Sequence, residues 1–191
     1  MDYSLLRMQS SGVCEQDNQD IQATLGGDGE AYRRIVHRYQ QLIARRMWRF
    51  TRDRGQLEEM VADVFVEAYT SLRRYGGRAP FVHWLNTIAT RVGYRFWKRR
   101  RQLEHEVPLQ DWDAPAAVDS DPLEAAEAGE RVHLLMAQLP PRDRLVLTLI
   151  YLEGLSVAQT AKQTGWSRSM VKVQAHRARN KLKLLLEKVA P

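Results

Sequence analysis

The stretch SVAQTAKQTGWSRSMVKVQAHRAR, residues 156–179, carries the pattern that decides the fold of this chain. Ser156 and Gln159 have the spacing of a capping box, in which each side chain bonds the backbone amide of the other residue and a helix begins. Gly165 permits a sharp turn after that helix, and Ser167 can cap a second helix. The pattern therefore predicts a helix-turn-helix.

The second helix of this motif has two different faces. At 100° per residue, one side is an apolar stripe formed by Val171, Ala175, Ala178, Leu182 and Leu185. The opposite side is the one that a recognition helix turns toward the major groove of DNA. The DNA contacts predicted on it are Ser169, Lys172, Val173, His176, Arg177 and Arg179. An ordinary solvated face on a structural helix is the alternative.

The charge of the chain is unevenly distributed. The formal net charge is +6, but nine acidic residues and no Lys or Arg lie between Gln102 and Glu130, so the remaining residues carry +15. A charge of that size attracts a polyanion, and nucleic acid is the usual one. A merely soluble basic surface is the alternative that charge alone leaves open.

Helical periodicity lies on both sides of an irregular segment. Apolar residues recur at three- and four-residue steps in three stretches of the first half, and strand-like alternation is absent. Between 102 and 121, prolines lie among alanines and acids without periodicity, which predicts a linker. We expect an all-α chain with a tail (1–21), a helical domain (22–101), a flexible acidic linker (102–121) and a helix-turn-helix domain (122–191).

The basic segment 73–101 contains several aromatic residues. A glycine pair and Pro80 end one helix, and the next begins near Pro80 or Phe81. Aromatic faces stack on unpaired bases while Arg and Lys hold phosphates, so this composition favours binding of single-stranded nucleic acid. Aromatics at helical spacing are more often core residues, and Phe81 fits the core equally well. Tyr94 and Trp97 are harder to bury, which favours a nucleic-acid face.

The helix before this segment carries an acidic strip on an otherwise basic domain. Its members are Glu58, Glu59, Asp63 and Glu67. A solvated face is the default interpretation, and a basic protein partner is the functional one. The charge pattern alone does not choose between them.

Catalytic constellations are missing from the sequence. It has no glycine-rich phosphate loop, no Cys/His cluster and no nucleophile beside a base, so we expect no enzyme activity and no cofactor. The five histidines are scattered, which predicts no metal site. No apolar run reaches the roughly 18 residues of a membrane span, and the N-terminus has no signal-peptide core. With Cys14 alone in a polar tail, we expect a cytoplasmic protein.

Four segments together resemble a known family. They are LEEMVADVFVEAY (57–69), FVHWLNTIA (81–89), LPPRDR (139–144) and YLEGLS (151–156). Their order and spacing resemble bacterial RNA polymerase sigma factors of the extracytoplasmic-function (ECF) group, in the sigma-70 family, over about residues 22–187. The resemblance implies a subunit that binds core polymerase and directs it to promoters.

This resemblance implies a role for each surface. The acidic strip matches the helix that grips the clamp helices of the polymerase β′ subunit. The loop from Tyr75 to Phe81 matches one that pockets a flipped base, and the face of the last helix matches the reader of the −35 element. The −10 contacts that follow are Arg73, Arg74, Tyr75, Arg78, Phe81, Trp84, Arg91, Arg95 and Lys98.

The resemblance also implies a protein inhibitor. Sigma factors of this group are commonly held inactive by an anti-sigma factor, usually a membrane protein, which would hold the chain at the inner membrane. No small-molecule substrate is expected. One competing hypothesis is a helix-turn-helix repressor or activator with a ligand-sensing domain, which leaves the aromatic helix and the acidic strip unexplained. Another is an adaptor that binds a protein partner without reading promoters.

Overall fold

The computed structural model describes residues 3–106 and 123–189, and every regular element within them is a helix or helical turn. In chain order these are α1 (Tyr3–Leu25), α2 (Gly29–Met47), α3 (Arg54–Ser71), a 3₁₀ turn (Leu72–Arg74), α4 (Phe81–Glu106), α5 (Leu123–Ala137), α6 (Pro141–Leu147), a π-helical turn (Thr148–Leu152), α7 (Val157–Thr164) and α8 (Arg168–Val189). The chain divides into two compact units, Met1–Gly93 and Tyr94–Pro191. The prediction of an all-α chain with two helical domains is confirmed.

Side-chain caps start the helices that follow the short turns of the first unit. The Asp28 carboxylate accepts hydrogen bonds from the amides of Glu30 and Ala31, at 2.9 and 3.2 Å. The Asp53 carboxylate accepts one from the amide of Gln56 at 2.8 Å. Each bond satisfies a backbone donor that has no partner inside the helix. The caps therefore fix where α2 and α3 begin.

The first unit buries one face of each of its helices. The largest buried apolar side chains are Ile35, Ile43, Met47, Phe50, Val64, Leu72, Phe81, Leu85 and Ile88. Gly93 of α4 lies against the ring of Phe50, because a Cβ at this position would be 2.3 Å from Phe50 Cε1. A glycine is therefore required where α4 passes the α2–α3 turn.

The predicted N-terminal tail is wrong for the residues that the structure describes. Helix α1 begins at Tyr3 and packs against α2. Asp17, Asp20 and Ile21 are buried, and Cys14 is partly buried on the same helix. The helix was missed because its inward face carries carboxylates in place of an apolar stripe.

The predicted boundary at residue 101 also needs correction. Helix α4 continues to Glu106, so the first five residues of the predicted linker are helical. The division between the two units falls within this helix, after Gly93. The rest of the predicted acidic linker, 107–121, lies outside the described residues. In the described parts of the chain, no helix combines the length and apolar character needed to cross a membrane.

The second unit is organised around the apolar stripe of α8. Its core contains Met136, Leu139, Val146, Leu147, Val171, Ala175 and Ala178, with Leu182 and Leu185 partly buried against them. The predicted stripe of the last helix is therefore confirmed. Arg144 is also buried in this unit, and its guanidinium lies 4.1 Å from the ring centroid of Trp97.

Candidate nucleic-acid and polymerase interfaces

Local hydrogen bonds build the helix-turn-helix as the sequence predicts. The Ser156 amide donates to Gln159 Oε1 at 2.9 Å, and the Gln159 amide donates to Ser156 Oγ at 3.2 Å. Gly165 ends α7 with a left-handed φ of 76°, a conformation that glycine adopts without strain. The Met170 amide then donates to Ser167 Oγ at 3.1 Å, where α8 begins. The two caps and the turn thus fix the angle at which α8 leaves α7.

The face of α8 opposite its buried stripe is exposed. Val171, Ala175 and Ala178 hold the inner side in the core. All six predicted −35 residues are exposed: Ser169, Lys172, Val173, His176, Arg177 and Arg179. An anchored helix with one open polar face has the geometry that a major-groove reader needs.

Two of these side chains have neighbours within the protein. Arg179 Nη1 donates to the Tyr151 hydroxyl at 3.0 Å, which directs the guanidinium along the flank of α8. His176 Nε2 and Asn180 Nδ2 lie 3.3 Å apart. Tyr151 belongs to the π-helical turn, and sequence reasoning gave it no role in the site. The only sequence feature that could have indicated a role is that Tyr151 is a large aromatic residue outside the helical spacing of the apolar residues.

A buried carboxylate braces α8 against α6. Asp143 accepts from Gln174 Nε2 at 2.5 Å and from Lys181 Nζ at 2.6 Å, and its side chain is shielded from solvent. A buried charge is tolerated when it is paired and hydrogen-bonded in this way. In the sequence, Gln174 is 31 positions and Lys181 is 38 positions from Asp143, so no local pattern predicts these contacts.

Three aromatic rings meet where the loop 75–80 joins α4. The ring centroids of Tyr75, Phe81 and Trp84 are 5.4 Å apart in each pair. The Tyr75 hydroxyl donates to the carbonyl of Ala79 at 2.6 Å, which closes the loop on itself. The loop is therefore held by its own aromatic residue against the start of α4.

Burial separates the predicted −10 residues into two groups. Phe81 is 1% exposed, so it supports the cluster from the core and does not present a face for stacking, contrary to its place among the predicted contacts. Tyr75 and Trp84 are half-buried, and three arginines near them are exposed: Arg73, Arg74 and Arg78. Burial and, to a smaller extent, the nearby Asp17 carboxylate raise the pKa of Tyr75, so its phenol is neutral.

Helix α4 continues the basic surface away from the loop. Arg91, Arg95 and Lys98 are exposed and follow one another at four- and three-residue steps, which places them on one side of the helix. Trp97 does not share this exposure, because it is 3% exposed beneath Arg144. Its predicted place on the nucleic-acid face is therefore wrong.

The outer face of α3 combines acidic and apolar side chains. Glu58, Glu59 and Asp63 are exposed, and Glu67 is half-buried. Two apolar residues on this helix also face solvent, Val66 at 62% and Tyr69 at 54% exposure, and sequence reasoning missed them. The sequence feature that could have identified them is that both fall away from the side of α3 that the helical spacing of its buried residues defines. Exposed apolar groups among charges are typical of a protein-binding surface.

Comparison with known proteins identifies the family. Residues 35–102 match the family model for sigma-70 region 2, and residues 129–182 match that for sigma-70, region 4. The ECF RNA polymerase sigma factor SigF of Caulobacter vibrioides is 30% identical over 167 residues, which cover 86% of this chain and 89% of that protein. The chain belongs to the ECF group of the sigma-70 family.

Further relatives of this sigma factor agree with that assignment. The RNA polymerase sigma-H factor of Pseudomonas aeruginosa is 29% identical over 185 residues, covering 91% of this chain and 95% of that protein. The structure of CnrH with the cytosolic domain of CnrY aligns with a TM-score of 0.61 at 23% identity, over 92% of this chain and 99% of CnrH. The sigma factor RpoE of Bartonella quintana, solved with the anti-sigma factor NepR, gives 0.56 at 20% identity, over 82% and 96%. The two structures support the fold.

The sigma factor directs RNA polymerase to specific promoters. Its region 2 match contains α3, the 75–80 loop and most of α4, and its region 4 match contains the helix-turn-helix. The repressor or activator hypothesis is not favoured, because it has no use for region 2. Helix α1 precedes the region 2 match altogether.

Proposed function

We propose that this sigma factor reads the −35 element with α8, captures the melted −10 element with the 75–80 loop and α4, and holds core polymerase with α3. The observation that carries the proposal is the exposed face of α8, whose opposite side is locked into the helix-turn-helix core. Such a helix can enter the major groove without rearrangement.

The six residues on α8 divide between base reading and anchoring. Ser169, Val173 and His176 point furthest from the buried stripe, so they meet base edges in the major groove. Lys172, Arg177 and Arg179 lie toward the flanks and mostly meet phosphates, although Lys172 also reaches toward guanine edges. The contact of Arg179 with Tyr151 supports a flanking role, because it orients the guanidinium away from the groove-facing side.

The aromatic cluster of Tyr75, Phe81 and Trp84 and the cations near it bind the melted −10 element. Tyr75 and Trp84 each leave part of a ring open to solvent, on which an unpaired base can stack. Arg73, Arg74 and Arg78 supply positive charge beside the loop, and Arg91, Arg95 and Lys98 hold the adjoining DNA backbone. Phe81 acts from below as a support.

Core polymerase binds the outer face of α3. Its exposed carboxylates match a partner with basic residues, and Val66 and Tyr69 add the apolar contact that such an interface needs. The partner surface is the clamp helices of the β′ subunit. Polymerase performs the chemistry, so the sigma factor is not an enzyme and needs no cofactor or metal.

An anti-sigma factor holds this protein inactive by covering the same surfaces. Of two solved proteins of the same fold, RpoE is in complex with the anti-sigma factor NepR, and CnrH is in complex with the cytosolic domain of CnrY. The sigma factor itself works in the cytoplasm. A membrane-bound anti-sigma factor would keep it at the inner membrane until released.

Run-off transcription by the reconstituted holoenzyme on a library of −35 variants tests the reading face. His176→Ala should change which bases are tolerated, with a loss of about 1–3 kcal/mol of discrimination at one position. Arg177→Ala should weaken all sequences alike and reduce the salt slope by about one. Lys183→Ala, an exposed α8 residue outside the six, is the control and should do neither. If His176→Ala keeps the wild-type preference and only loses strength, α8 does not read bases through this face.

Transcription from genomic DNA tests the function as a whole. Core polymerase with this sigma factor should start at a defined set of promoters, while the free protein should bind the same DNA weakly. Polymerase should hold both DNA-binding surfaces on one promoter, which raises the effective concentration of the second contact. Tight sequence-specific binding by the free protein, without start sites in the presence of core, would support the repressor hypothesis instead.

A further inference from the structure

Helix α1 is joined to α2 by a buried polar network. Asp17 and Asp20 are 2% and 6% exposed. Asp17 accepts from the Tyr39 hydroxyl and from Arg38 Nη1, each at 2.5 Å. Asp20 accepts from Arg38 Nη2 at 2.6 Å and from Arg34 Nε at 2.8 Å. Both carboxylates are thus fully engaged, and the arginine fork fixes the register of α1 on α2.

The network is connected to the 75–80 loop by contacts between aromatic rings. The Tyr39 ring centroid lies 5.7 Å from that of Phe81. Phe81 in turn contacts Tyr75 and Trp84, the two rings left partly open. Helix α1 also contacts the 3₁₀ turn Leu72–Arg74 that leads into the loop. Asp17 is therefore connected to the loop through Tyr39 and Phe81.

Electrostatics agrees with this path. Burial raises the pKa of Tyr39, and its hydrogen bond to Asp17 and the charge of Asp17 raise it further. Tyr39 is therefore locked as a neutral donor to the carboxylate. The charge of Asp17 also raises the pKa of Tyr75, behind the larger effect of burial, which places Asp17 within electrostatic range of the loop.

We infer that Asp17 and Tyr39 are positioning residues for −10 recognition, because they fix Phe81 and thereby the rings of Tyr75 and Trp84 that receive the base. The inference rests on the proposed function of the loop. The bond from the Tyr39 hydroxyl to Asp17 holds the Tyr39 ring in one position against Phe81. Tyr39→Phe removes this bond and Asp17→Asn replaces a charged acceptor by a weaker neutral one, so in both variants the ring is free to move. Close-packed interiors transmit such a movement to the next ring, which here is Phe81.

The competing explanation is that the network only fastens α1. Asp20 distinguishes the two explanations. Like Asp17, it pairs with Arg38, and it also pairs with Arg34, but it makes no hydrogen bond to Tyr39. Asp20→Asn therefore loosens α1 without touching the path to the loop. It is the matched control for Asp17→Asn and Tyr39→Phe.

The test measures holoenzyme binding to fork-junction DNA with a single-stranded −10 element, varied one base at a time, with a fixed −35 duplex. Tyr39→Phe and Asp17→Asn should each reduce −10 discrimination by about tenfold, the size of one weakened base contact. Asp20→Asn should change it by less than about twofold, and −35 discrimination should be unchanged in all three. A 2-aminopurine at the captured position should lose its stacking signal in the first two variants only.

Tyr75→Ala separates failure of this inference from failure of the proposed function. If Tyr75→Ala leaves −10 discrimination intact, the loop does not read the element and the proposed function is wrong there. If Tyr75→Ala abolishes discrimination while Tyr39→Phe and Asp17→Asn behave like Asp20→Asn, the positioning role is overturned. Tyr39→Phe removes only the hydroxyl that bonds Asp17 and leaves Asp17 paired with Arg38, so it tests the positioning bond even if Asp17→Asn fails to fold.

Discussion

Replacing Gly93 by alanine should destabilise the sigma factor, although alanine is the better helix former. A Cβ at Gly93 would lie 2.3, 2.4 and 2.6 Å from three atoms of the Phe50 ring. Carbon atoms pack best at about 3.5–4.0 Å, so the ring must move by roughly 1 Å or more. Phe50 is 1% exposed, so its ring is enclosed by the core and any shift disturbs its neighbours.

Two opposing contributions set the magnitude. Overpacking of a filled core costs about 1–3 kcal/mol, and contacts this short favour the upper half of that range. The gain in helix propensity from Gly to Ala is about 1 kcal/mol. The free energy of unfolding should therefore fall by about 1–2 kcal/mol. Gly129 of α5 is the matched control, because a Cβ there meets nothing within 4 Å, and Gly129→Ala should be neutral or stabilising by up to about 1 kcal/mol.

Urea denaturation of the full chain, followed by circular dichroism and by tryptophan fluorescence, measures both variants. Adding Phe50→Leu to Gly93→Ala should cost less than the sum of the single changes, because the smaller side chain relieves the contact. A coupling of about 0.5–3 kcal/mol is typical of residues that touch. If Gly93→Ala stabilises the protein as Gly129→Ala does, α4 does not pass Phe50 at this distance and the packing argument fails.

Other surfaces give further predictions. The double reversal Glu59→Lys and Asp63→Lys should weaken core polymerase binding about tenfold without loss of helicity, because both are exposed and like charges at an interface are costly; unchanged retention on immobilised core would show a merely solvated face. Ser156→Ala removes a cap and should cost about 1 kcal/mol, seen as a lower thermal midpoint; an unchanged midpoint would contradict the capping-box argument. Burial alone would raise the pKa of Asp20, but hydrogen bonds and charges from Arg38 and Arg34 outweigh it and hold the pKa below its ordinary 3.8. The stability from Asp20 is therefore complete above about pH 4 and is lost as the pH falls through the lowered value, so Asp20→Asn should flatten acid denaturation there; an equally steep acid transition would argue against this pairing.

Local pattern was enough to predict the helix-turn-helix. Its determinants are a capping box of residues three apart, a glycine at the turn, a second cap, and an apolar stripe on one helix. Each of these acts through backbone geometry within a few residues, so the sequence displays it directly. The exposed face of α8 follows, because a helix with one buried side presents its other side to solvent. The acidic strip of α3 could be predicted in the same way, because it lies on the side of that helix opposite its buried apolar residues.

Contacts between residues far apart in the chain were beyond the sequence. Asp17 and Tyr39 are 22 positions apart, and Asp143 and Lys181 are 38. Helix α1 was taken for a tail because its buried carboxylates look like a solvated surface until the arginines of α2 are brought against them. A buried charge is stable only beside its partner, and that partner is supplied by the tertiary fold.

The aromatic residues of the 75–80 loop and α4 show most clearly what the sequence determined and what packing decided. Sequence composition indicated that aromatic and basic side chains share this segment, and the resemblance to the family predicted a role for it in −10 recognition. Which rings are open to solvent depended on packing: Tyr75 and Trp84 remain partly open, whereas Phe81 is covered by Tyr39 and Trp97 by Arg144. Residue type sets what a side chain can do, and burial, which neighbouring helices determine, decides whether it is available to do it.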